Sequence, residues 1–328
     1  MQTTKTKNTS TENMLFLKDV EKGLSAKQKY LPSKYFYDEK GDALFIQIMN
    51  MPEYYLTNAE LDIFKNQTDE LITALDLPIE QEFDLIELGA GDGTKTKNLL
   101  KALNSKGFKF TFIPIDISQN ALNNLENSVK EELPEVKLTP KQGHYFNVLN
   151  EIKLFHKPKV VLFLGSNIGN LEDNQAIDFM TQLNAVLEKN DKVVLGVDLI
   201  KPTHIVLPAY NDSQGITKQF NLNLLQRINK ELGGSFILEN FEHLPEYDEN
   251  TGIAKSYLVS KIDQTVLIKA LDKTFHFNEG EKIYTETSRK YNSTILKQIL
   301  DNTQLEISHK LTDSKNYFAD YILNKTSD

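Results

Sequence analysis

A cluster of three glycines directly after a short apolar run is the feature of this chain with the clearest chemical meaning. Residues 83–88 (FDLIEL) predict a buried strand, Gly89, Gly91 and Gly93 follow it, and residues 94–100 have a helical pattern. Glycine lets the backbone take positive φ values and lets a ligand approach the main chain, while a helix start offers free N–H groups to a polar or anionic ligand. The segment therefore indicates a binding site, although an ordinary tight turn can have the same composition.

The spacing around these glycines differs from two common nucleotide motifs. The dinucleotide fingerprint requires a glycine where Thr94 stands, and a phosphate-binding P-loop requires one directly before Lys95-Thr96. Glu87 precedes the turn, and Asp116 ends the next apolar run, where an acidic side chain can accept both hydroxyls of a ribose. A ribose without a pyrophosphate indicates S-adenosylmethionine (SAM) more than a nicotinamide cofactor.

The composition argues against several other functions. The 328 residues include 37 Lys and Arg against 46 Asp and Glu, so the formal charge of −9 disfavours binding to a nucleic-acid backbone. The chain contains no cysteine, which removes thiolate catalysis and Cys-ligated zinc, and its six histidines form no H-E-x-x-H pair, so we expect no metal. No run is long enough for a membrane span or a signal-peptide core. We therefore expect a soluble, cytoplasmic protein.

Strands and helices alternate through the first two thirds of the chain, which predicts a doubly wound parallel sheet. The predicted strands cover residues 83–88, 108–117, 136–143, 160–164 and 192–200. Ligands of such sheets bind beyond the carboxyl ends of the strands. Those ends here carry the glycine cluster, Asp116, Gly143-His144 and residues 165–170.

The alternation stops after residue 200. Residues 202–246 have a helical, polar pattern, and two runs with strand-like alternation follow at 255–261 and 265–277, which predicts an inserted α+β subdomain. A helix at 293–300 and a β-hairpin from 305–310 and 317–323 complete the chain. A late hairpin of this kind is typical of Rossmann-like methyltransferases and is not expected in dehydrogenases.

Aromatic residues cluster near the start of the chain, in the segment KYFYDEKGDALFIQIMNMPEYYLTNAELDIF. Aromatic side chains at such positions usually pack on a core. A ligand lid is the slightly favoured alternative, because the pair Tyr54-Tyr55 follows Pro52 in a predicted loop.

Several separate motifs, in order, give the chain a family resemblance. They are LPSKYFYDEKGDALF, MPEYYLTNAE, IELGAGDGTKTKNLL, FIPIDIS, FLGSNIGNL, AYNDSQGITKQFNLNLLQRINKELG, FEHLPEYD and GEKIYTETSRKY. From about Gly23 to its end the chain resembles the histidine-specific, SAM-dependent methyltransferases, whose bacterial members make hercynine on the way to ergothioneine. Each motif alone is weak evidence, and the combination is hard to obtain by chance.

The resemblance implies a class I methyltransferase fold with two domains. The SAM domain would comprise residues 60–200 and 290–328, and the α+β substrate domain residues 14–59 and 201–289, after a disordered tail at 1–13. The implied SAM contacts are Tyr54, Gly89, Lys95, Asp116, His144 and Tyr145. The implied amino-acid pocket consists of Tyr37, Phe45, Asn170, Tyr210, Glu286 and Ser288, with Tyr37 as the catalytic candidate. The implied partner is L-histidine, bound by a monomer.

The implied pocket residues suit an amino acid. An Asn amide and a Tyr hydroxyl can donate to a carboxylate, and Glu286 and Ser288 share one strand face from which they can reach both imidazole nitrogens. Without the resemblance, Glu286 would be interpreted as a solvated strand charge.

The chain differs from the family pattern in three places, one of which is Asn167 after the FLGS motif, where Thr or Ser is common. His144-Tyr145 stands where Asp-Phe is usual, and a neutral imidazole can still accept a hydrogen bond from the adenine amino group. Ser256 replaces a larger apolar residue beside the imidazole pocket. The main alternative is therefore the same fold methylating another amino acid or amine, such as a tryptophan derivative. A second alternative is an NAD-dependent oxidoreductase.

Overall fold

The computed structural model describes residues 3–143, 147–148, 151 and 157–327 of the chain, and the side chains from residue 13 onward within these ranges. The chain folds as two compact units. We call Met1–Tyr54 with Lys201–Ser288 the insertion unit, and Tyr55–Ile200 with Arg289–Asp328 the large-sheet unit. The sequence predicts the first boundary at residue 59, and the structure has it at residue 54.

The two units are built from the following helices and strands, in chain order. The helices are α1 Thr3–Ser25, α2 Glu39–Met49, α3 Tyr55–Asn66, α4 Thr68–Leu75, α5 Thr96–Ser105, α6 Gln119–Glu132, α7 Asp173–Val186, α8 Thr203–Val206, α9 Ile216–Leu232 and α10 Ser293–Leu300. The strands are β1 Phe83–Leu88, β2 Phe110–Asp116, β3 Lys137–Leu138, β4 Lys141–Gln142, β5 Lys159–Phe163, β6 Lys192–Asp198, β7 Phe241–Asp248, β8 Ile253–Ser260, β9 Gln264–Ile268, β10 Lys273–Phe277, β11 Lys282–Arg289, β12 Leu305–Thr312 and β13 Phe318–Lys325. None of the helices in the described ranges combines the length and the apolar character that a membrane crossing requires.

The large-sheet unit is built on one sheet with the strand order β12-β13-β6-β5-β1-β2-β3, and β4 also pairs with β2. Strands β1, β2, β5 and β6 are parallel, whereas β13 runs antiparallel to β6 and β12 antiparallel to β13. The predicted Rossmann-like doubly wound sheet and its closing hairpin are therefore confirmed. The chain leaves β1 towards β3 and returns at β5 on the other side of β1, so the carboxyl ends of β1 and β5 form the switch point where such folds bind ligands.

Both faces of this sheet are buried by helices, which explains why its parallel strands are almost continuously apolar. On one face Ile86, Leu88 and Val161 pack in a core with α7 and α10. On the other face Leu85 and Leu162 pack with α3, α4, α5 and α6. Neighbouring residues of one strand alternate between the two cores.

Two predicted elements of this unit are interrupted. The predicted third strand is split into β3 and β4 by Thr139-Pro140, since proline has no N–H to donate to a neighbouring strand. Residues 58–74 have the sequence pattern of one amphipathic helix, but the structure has the pair α3 and α4, broken at Gln67. The Gln67 side chain donates to the Thr312 carbonyl at 2.7 Å, a tertiary contact that no local pattern reveals.

The insertion unit contains a three-stranded sheet in the order β11-β8-β7, the hairpin β9–β10, and the helices α1, α2, α8 and α9. Its core includes Phe36, Phe220, Leu258 and Phe277. Strand β7 lies in the stretch predicted to be helical. Its alternation is hidden because its residues on the buried side of the sheet include His243 and Pro245, which pair with Leu258 and Ser256 of β8.

Helix α1 begins at Thr3, so residues 3–13 are helical and do not form the disordered tail that their polar composition predicts. Phe16, Val20 and Leu24 are buried along one side of this helix. Once packing has nucleated these turns, each further residue adds one backbone hydrogen bond at little extra cost.

Candidate active site

The turn after β1 is shaped by glycines in left-handed backbone conformation. Gly89, Gly91 and Gly93 have φ values of 75°, 54° and 64°, a region that favours glycine because it has no Cβ. A Cβ atom on Gly93 would lie 2.3 Å from Leu125 Cδ1, whereas one on Gly91 would meet nothing within 4 Å. Gly93 is needed for close packing, and Gly91 faces open space in which a ligand can approach the backbone.

Asp116 is the last residue of β2 and its carboxylate is fixed beside the glycine turn. Its Oδ2 atom accepts a hydrogen bond from Gly91 N at 3.0 Å, and its Oδ1 atom accepts one from Ser118 N at 2.9 Å. Each carboxylate oxygen has a second lone pair, so both oxygens can also accept a ligand hydroxyl. The side chain is half-buried and held in one orientation.

Lys95 directly precedes α5, and its ammonium forms an ion pair with the carboxylate of Glu60 on α3. The Glu60 side chain is 1% exposed, and both of its oxygens accept the Gly165 N–H, at 2.8 and 3.0 Å. Burial alone lowers the pKa of Lys95, but the adjacent Glu60 carboxylate has the opposite effect and leaves that pKa above its ordinary value. The carboxyl ends of β1 and β5 are thus connected through one buried acid.

Glu87 lies near the end of β1 and is fully buried, and burial raises the pKa of its carboxyl to about 8. Thr96 Oγ1 donates to its Oε1 atom at 2.6 Å. Its Oε2 atom is buried and has no hydrogen-bond partner among the described residues. A protonated carboxyl group is therefore favoured beside the glycine turn.

Asn170 lies in the turn after β5, at the end of the 3-10 segment Asn167–Asn170, and it is exposed. Ser166, just before this segment, has φ 57°, and its Oγ atom accepts a hydrogen bond from Asp198 N at 3.0 Å. A Cβ atom on Gly169 would lie 2.7 Å from the carbonyl oxygen of Arg289. The turn is therefore packed closely against neighbouring backbone and presents Asn170 outward.

In the insertion unit three of the predicted residues meet in one aromatic cluster. The ring centroids of Tyr37 and Phe45 are 5.6 Å apart, and those of Phe45 and Tyr54 are 6.5 Å apart. Phe220 of α9 lies 5.9 Å from both Tyr37 and Phe45 and joins the group. Tyr37 is 36% exposed, while Phe36 beside it is buried in the core, so the aromatic segment contributes to both the core and the surface.

Two more predicted residues of this unit are joined by a hydrogen bond. Tyr210 Oη donates to Ser288 Oγ at 2.8 Å, and both side chains are buried. Glu286 lies two residues before Ser288 on β11, on the same face by strand alternation, and is half-buried.

Ser256 on β8 is 1% exposed, and its Oγ atom has no hydrogen-bond partner among the described residues. Two positions away on the same side of the sheet lies His243, whose Nε2 atom is likewise buried without such a partner. Burial lowers the pKa of His243 to about 4. The insertion unit thus contains buried polar atoms that its own described side chains do not satisfy.

Comparison with known proteins identifies the family of the chain. The model of the family described as "Histidine-specific methyltransferase, SAM-dependent" matches residues 16–325. The chain belongs to this family.

Curated relatives agree with that assignment. A histidine N-alpha-methyltransferase of Mycolicibacterium smegmatis is 34% identical over 92% of this chain and 92% of that protein. A histidine N-alpha-methyltransferase of Mycobacterium tuberculosis is 35% identical over 84% of each chain. Ergothioneine biosynthesis protein 1 of Schizosaccharomyces pombe is 31% identical over 92% of this chain, which spans only 40% of that larger protein.

The large-sheet unit of this histidine-specific methyltransferase fits the methyl donor of the family. The glycine turn leaves open space at Gly91, Asp116 offers carboxylate oxygens for ribose hydroxyls, and Lys95 offers a cation for a carboxylate.

The predicted site residues are divided between the two units. Gly89, Lys95, Asp116 and Asn170 belong to the large-sheet unit, and Tyr37, Phe45, Tyr54, Tyr210, Glu286 and Ser288 to the insertion unit. His144 and Tyr145 lie outside the described residues. Within each unit only some of these residues contact one another. Asp116 accepts a hydrogen bond from the glycine turn, the rings of Tyr37, Phe45 and Tyr54 cluster, and Tyr210 donates a hydrogen bond to Ser288.

The sequence interpretation did not include Glu60 and Phe220 among the site residues. Glu60 lies in the motif MPEYYLTNAE on an otherwise amphipathic helix, where an acidic side chain looks solvent-exposed. It shares a helix face with the buried Leu56, Ala59 and Ile63, but nothing local shows that a carboxylate on that face has a buried partner and does not reach solvent. Phe220 has the helical spacing of an ordinary core residue, so the sequence does not mark it as part of a site.

Proposed function

We propose that this protein transfers methyl groups from SAM to the α-amine of L-histidine, and that three transfers give the trimethylammonium betaine hercynine. The observation that carries the proposal is the family match over residues 16–325, together with the similarity to histidine N-alpha-methyltransferases over most of both chains. The nicotinamide alternative finds no support in this family.

We assign the binding of SAM to the turn between β1 and α5. Asp116 would accept the ribose hydroxyls, the backbone at Gly89 would contact the donor closely, and Lys95 would pair with the carboxylate of its methionine part. Tyr54, His144 and Tyr145 stay predicted contacts. When bound, SAM supplies a methyl group on a sulfonium, which the free-base amine of the substrate attacks in line while the S–C bond breaks.

We assign the binding of histidine to Tyr37, Phe45, Asn170, Tyr210, Glu286 and Ser288. Asn170 and Tyr210 are neutral donors suited to the substrate carboxylate, and Glu286 and Ser288 are suited to the two imidazole nitrogens. The hydrogen bond between Tyr210 and Ser288 fixes both hydroxyls before the substrate arrives. Preorganisation of this kind lowers the entropy cost of binding.

Tyr37 is the proposed catalytic residue. Its ring is held against Phe45 and Phe220, and at 36% exposure its hydroxyl can hold a water molecule. We propose that it orients the amine and passes the proton released at each transfer to that water. Because the sulfonium is already activated, positioning of the amine is the main contribution that the protein must make.

Mass spectrometry of the purified protein with SAM and each free amino acid in turn tests the proposal. A gain of three methyl groups on histidine alone is the expected result, and histidine left unmodified would contradict it. Glu286→Ala should raise the KM for histidine by about tenfold or more, because one imidazole N–H loses its acceptor. Glu246→Ala is the matched control, since Glu246 is an exposed acid of the same sheet that pairs with Lys282.

Ser256 favours a second candidate, methylation of another amino acid or amine. A serine hydroxyl that is buried without a hydrogen-bond partner among the described residues is available to a polar group of a different substrate. The same substrate panel decides, because methylation of an amino acid other than histidine would support this candidate. The cytoplasmic location and the monomeric state stay predictions.

A further inference from the structure

Glu60 occupies a place in the large-sheet unit that its sequence context does not predict. It is a buried carboxylate on α3 that receives the Gly165 N–H on both oxygens and pairs with the Lys95 ammonium. Lys95 follows β1 and Gly165 follows β5, and these two strands are neighbours in the sheet. One acid thus holds the two loops of the switch point together.

The space for this acid is made by a glycine in β6. A Cβ atom on Gly196 would lie 2.3 Å from Glu60 Oε1 and 2.9 Å from Asp320 Oδ1. Gly196 and Asp320 are paired across β6 and β13, so the two carboxyl groups meet over the missing side chain. Any residue larger than glycine would displace one of them.

Lys95 forms its ion pair with Glu60, and the carboxyl group of Asp320 lies beside that pair. Both oxygens of Asp320 are buried and have no hydrogen-bond partner among the described residues. Burial, and then the neighbouring Glu60 carboxylate, raise the pKa of Asp320 well above its ordinary value, which favours its protonated form.

We propose that Glu60 is a positioning residue for SAM, which fixes the Lys95 ammonium where the carboxylate of the methionine part of SAM binds. The inference rests on the proposed function, which places SAM at this turn. An ammonium has three N–H donors, and the pair with Glu60 directs the remaining ones. Without Glu60 the flexible lysine stem would have to be ordered by the ligand itself, at a cost in affinity.

A purely structural ion pair is the competing explanation, and the chain contains one for comparison. Asp191 and Lys159 form a buried pair of the same type at the amino ends of β5 and β6, with Nζ and Oδ2 3.2 Å apart. Asp191 also accepts two backbone N–H groups, from Lys159 and Glu188, each at 2.8 Å. The substitution Asp191→Asn is therefore a matched control for Glu60→Gln.

The experiment is a calorimetric binding measurement with two probes, S-adenosylhomocysteine and 5′-methylthioadenosine, of which only the first carries the amino-acid part. In Glu60→Gln the affinity for S-adenosylhomocysteine should fall by about tenfold, with 5′-methylthioadenosine changed less than about twofold. Glu60→Gln keeps an oxygen that accepts the Gly165 N–H. In Asp191→Asn the ratio of the two affinities should stay at the wild-type value.

The double variant Glu60→Gln/Lys95→Met keeps the buried charges balanced and guards against misfolding of the single variant. Its affinity ratio should equal that of Lys95→Met alone. Equal losses for both probes, or an unchanged ratio in Glu60→Gln, would overturn the role of Glu60. Wild-type protein that binds neither probe would overturn the proposed function itself.

Discussion

Two lysine–carboxylate pairs lie at opposite ends of the large sheet, Lys159–Asp191 and Lys95–Glu60, and they differ in what surrounds them. At the amino ends of the strands, Asp191 is bound by Lys159 and by two backbone N–H groups. At the carboxyl ends, Glu60 is bound by Lys95 and by the Gly165 N–H. Each acid therefore connects neighbouring strands at its own end of the sheet.

Near the amino end, the neutral Oδ1 atom of Asn324, a residue that pairs with Lys192, is buried without a hydrogen-bond partner among the described residues, whereas the carboxyl end has unpartnered acids. Glu87 Oε2 and both oxygens of Asp320 are buried there without hydrogen-bond partners among the described residues. Such groups lower the stability of a folded protein, and a functional role is one reason why they are retained. A lysine–carboxylate pair whose acid is fully hydrogen-bonded indicates a structural role. A pair that lies beside unpartnered buried acids and beside backbone that a ligand can approach indicates a binding site.

The largest effect is expected at the amino end. Asp191→Ala leaves the Lys159 ammonium buried and unpaired, which should lower the free energy of unfolding by about 3–5 kcal/mol. Urea unfolding measures this loss. The affinity of the folded fraction for S-adenosylhomocysteine should not change, because Asp191 lies at the opposite end of the sheet from the glycine turn. A weaker affinity would remove the distinction between the two ends.

A smaller loss of stability is expected for Gly196→Ala at the carboxyl end. The added methyl group would collide with Glu60 Oε1, and overpacking of this kind costs about 1–3 kcal/mol. Here, in contrast to Asp191→Ala, the affinity for S-adenosylhomocysteine should fall as well, since Glu60 and then Lys95 must move. Unfolding and calorimetry on the same preparation check both results. Unchanged affinity would show that the position of Glu60 is not critical.

The same contrast separates what the sequence could predict from what it could not. Strands β1, β2, β5 and β6 and the turn at Gly89 were predictable because apolar runs and glycines are local signals. Glu60 and Asp320 were not, because their burial depends on a contact between α3 and a strand near the end of the chain. Considered alone, each of these acidic side chains would be expected at the surface.

In the insertion unit the reason for the missed strand is different. Strand β7 has an alternating pattern, but its residues on the buried side include His243 and Pro245, which no hydrophobicity pattern marks as core. The site residues Tyr210 and Ser288 are far apart in sequence, and their proximity was implied only by the family resemblance. Their hydrogen bond is what the structure adds.

The last prediction uses pH to test whether the unsatisfied acids at the carboxyl end are neutral. The pKa of Glu87 is about 8 in the folded protein against an ordinary value of 4.5, so between these values the folded state binds more protons than the unfolded state. Stability should therefore fall as pH rises through this window, by at most about 1.4 kcal/mol per pH unit.

Glu87→Gln has no proton to lose, so its stability relative to wild type should be lowest near pH 5 and should increase towards pH 8. Thermal unfolding of the ligand-free proteins across this range gives the difference. Thr96→Val is the control: it keeps the acid and removes the hydroxyl that donates to it, so the pH-dependent loss should persist and move to higher pH. A Glu87→Gln difference that is constant with pH would mean that Glu87 is already ionised at pH 5. The carboxyl end would then contain a buried charge balanced by Lys95, as the amino end is balanced by Lys159.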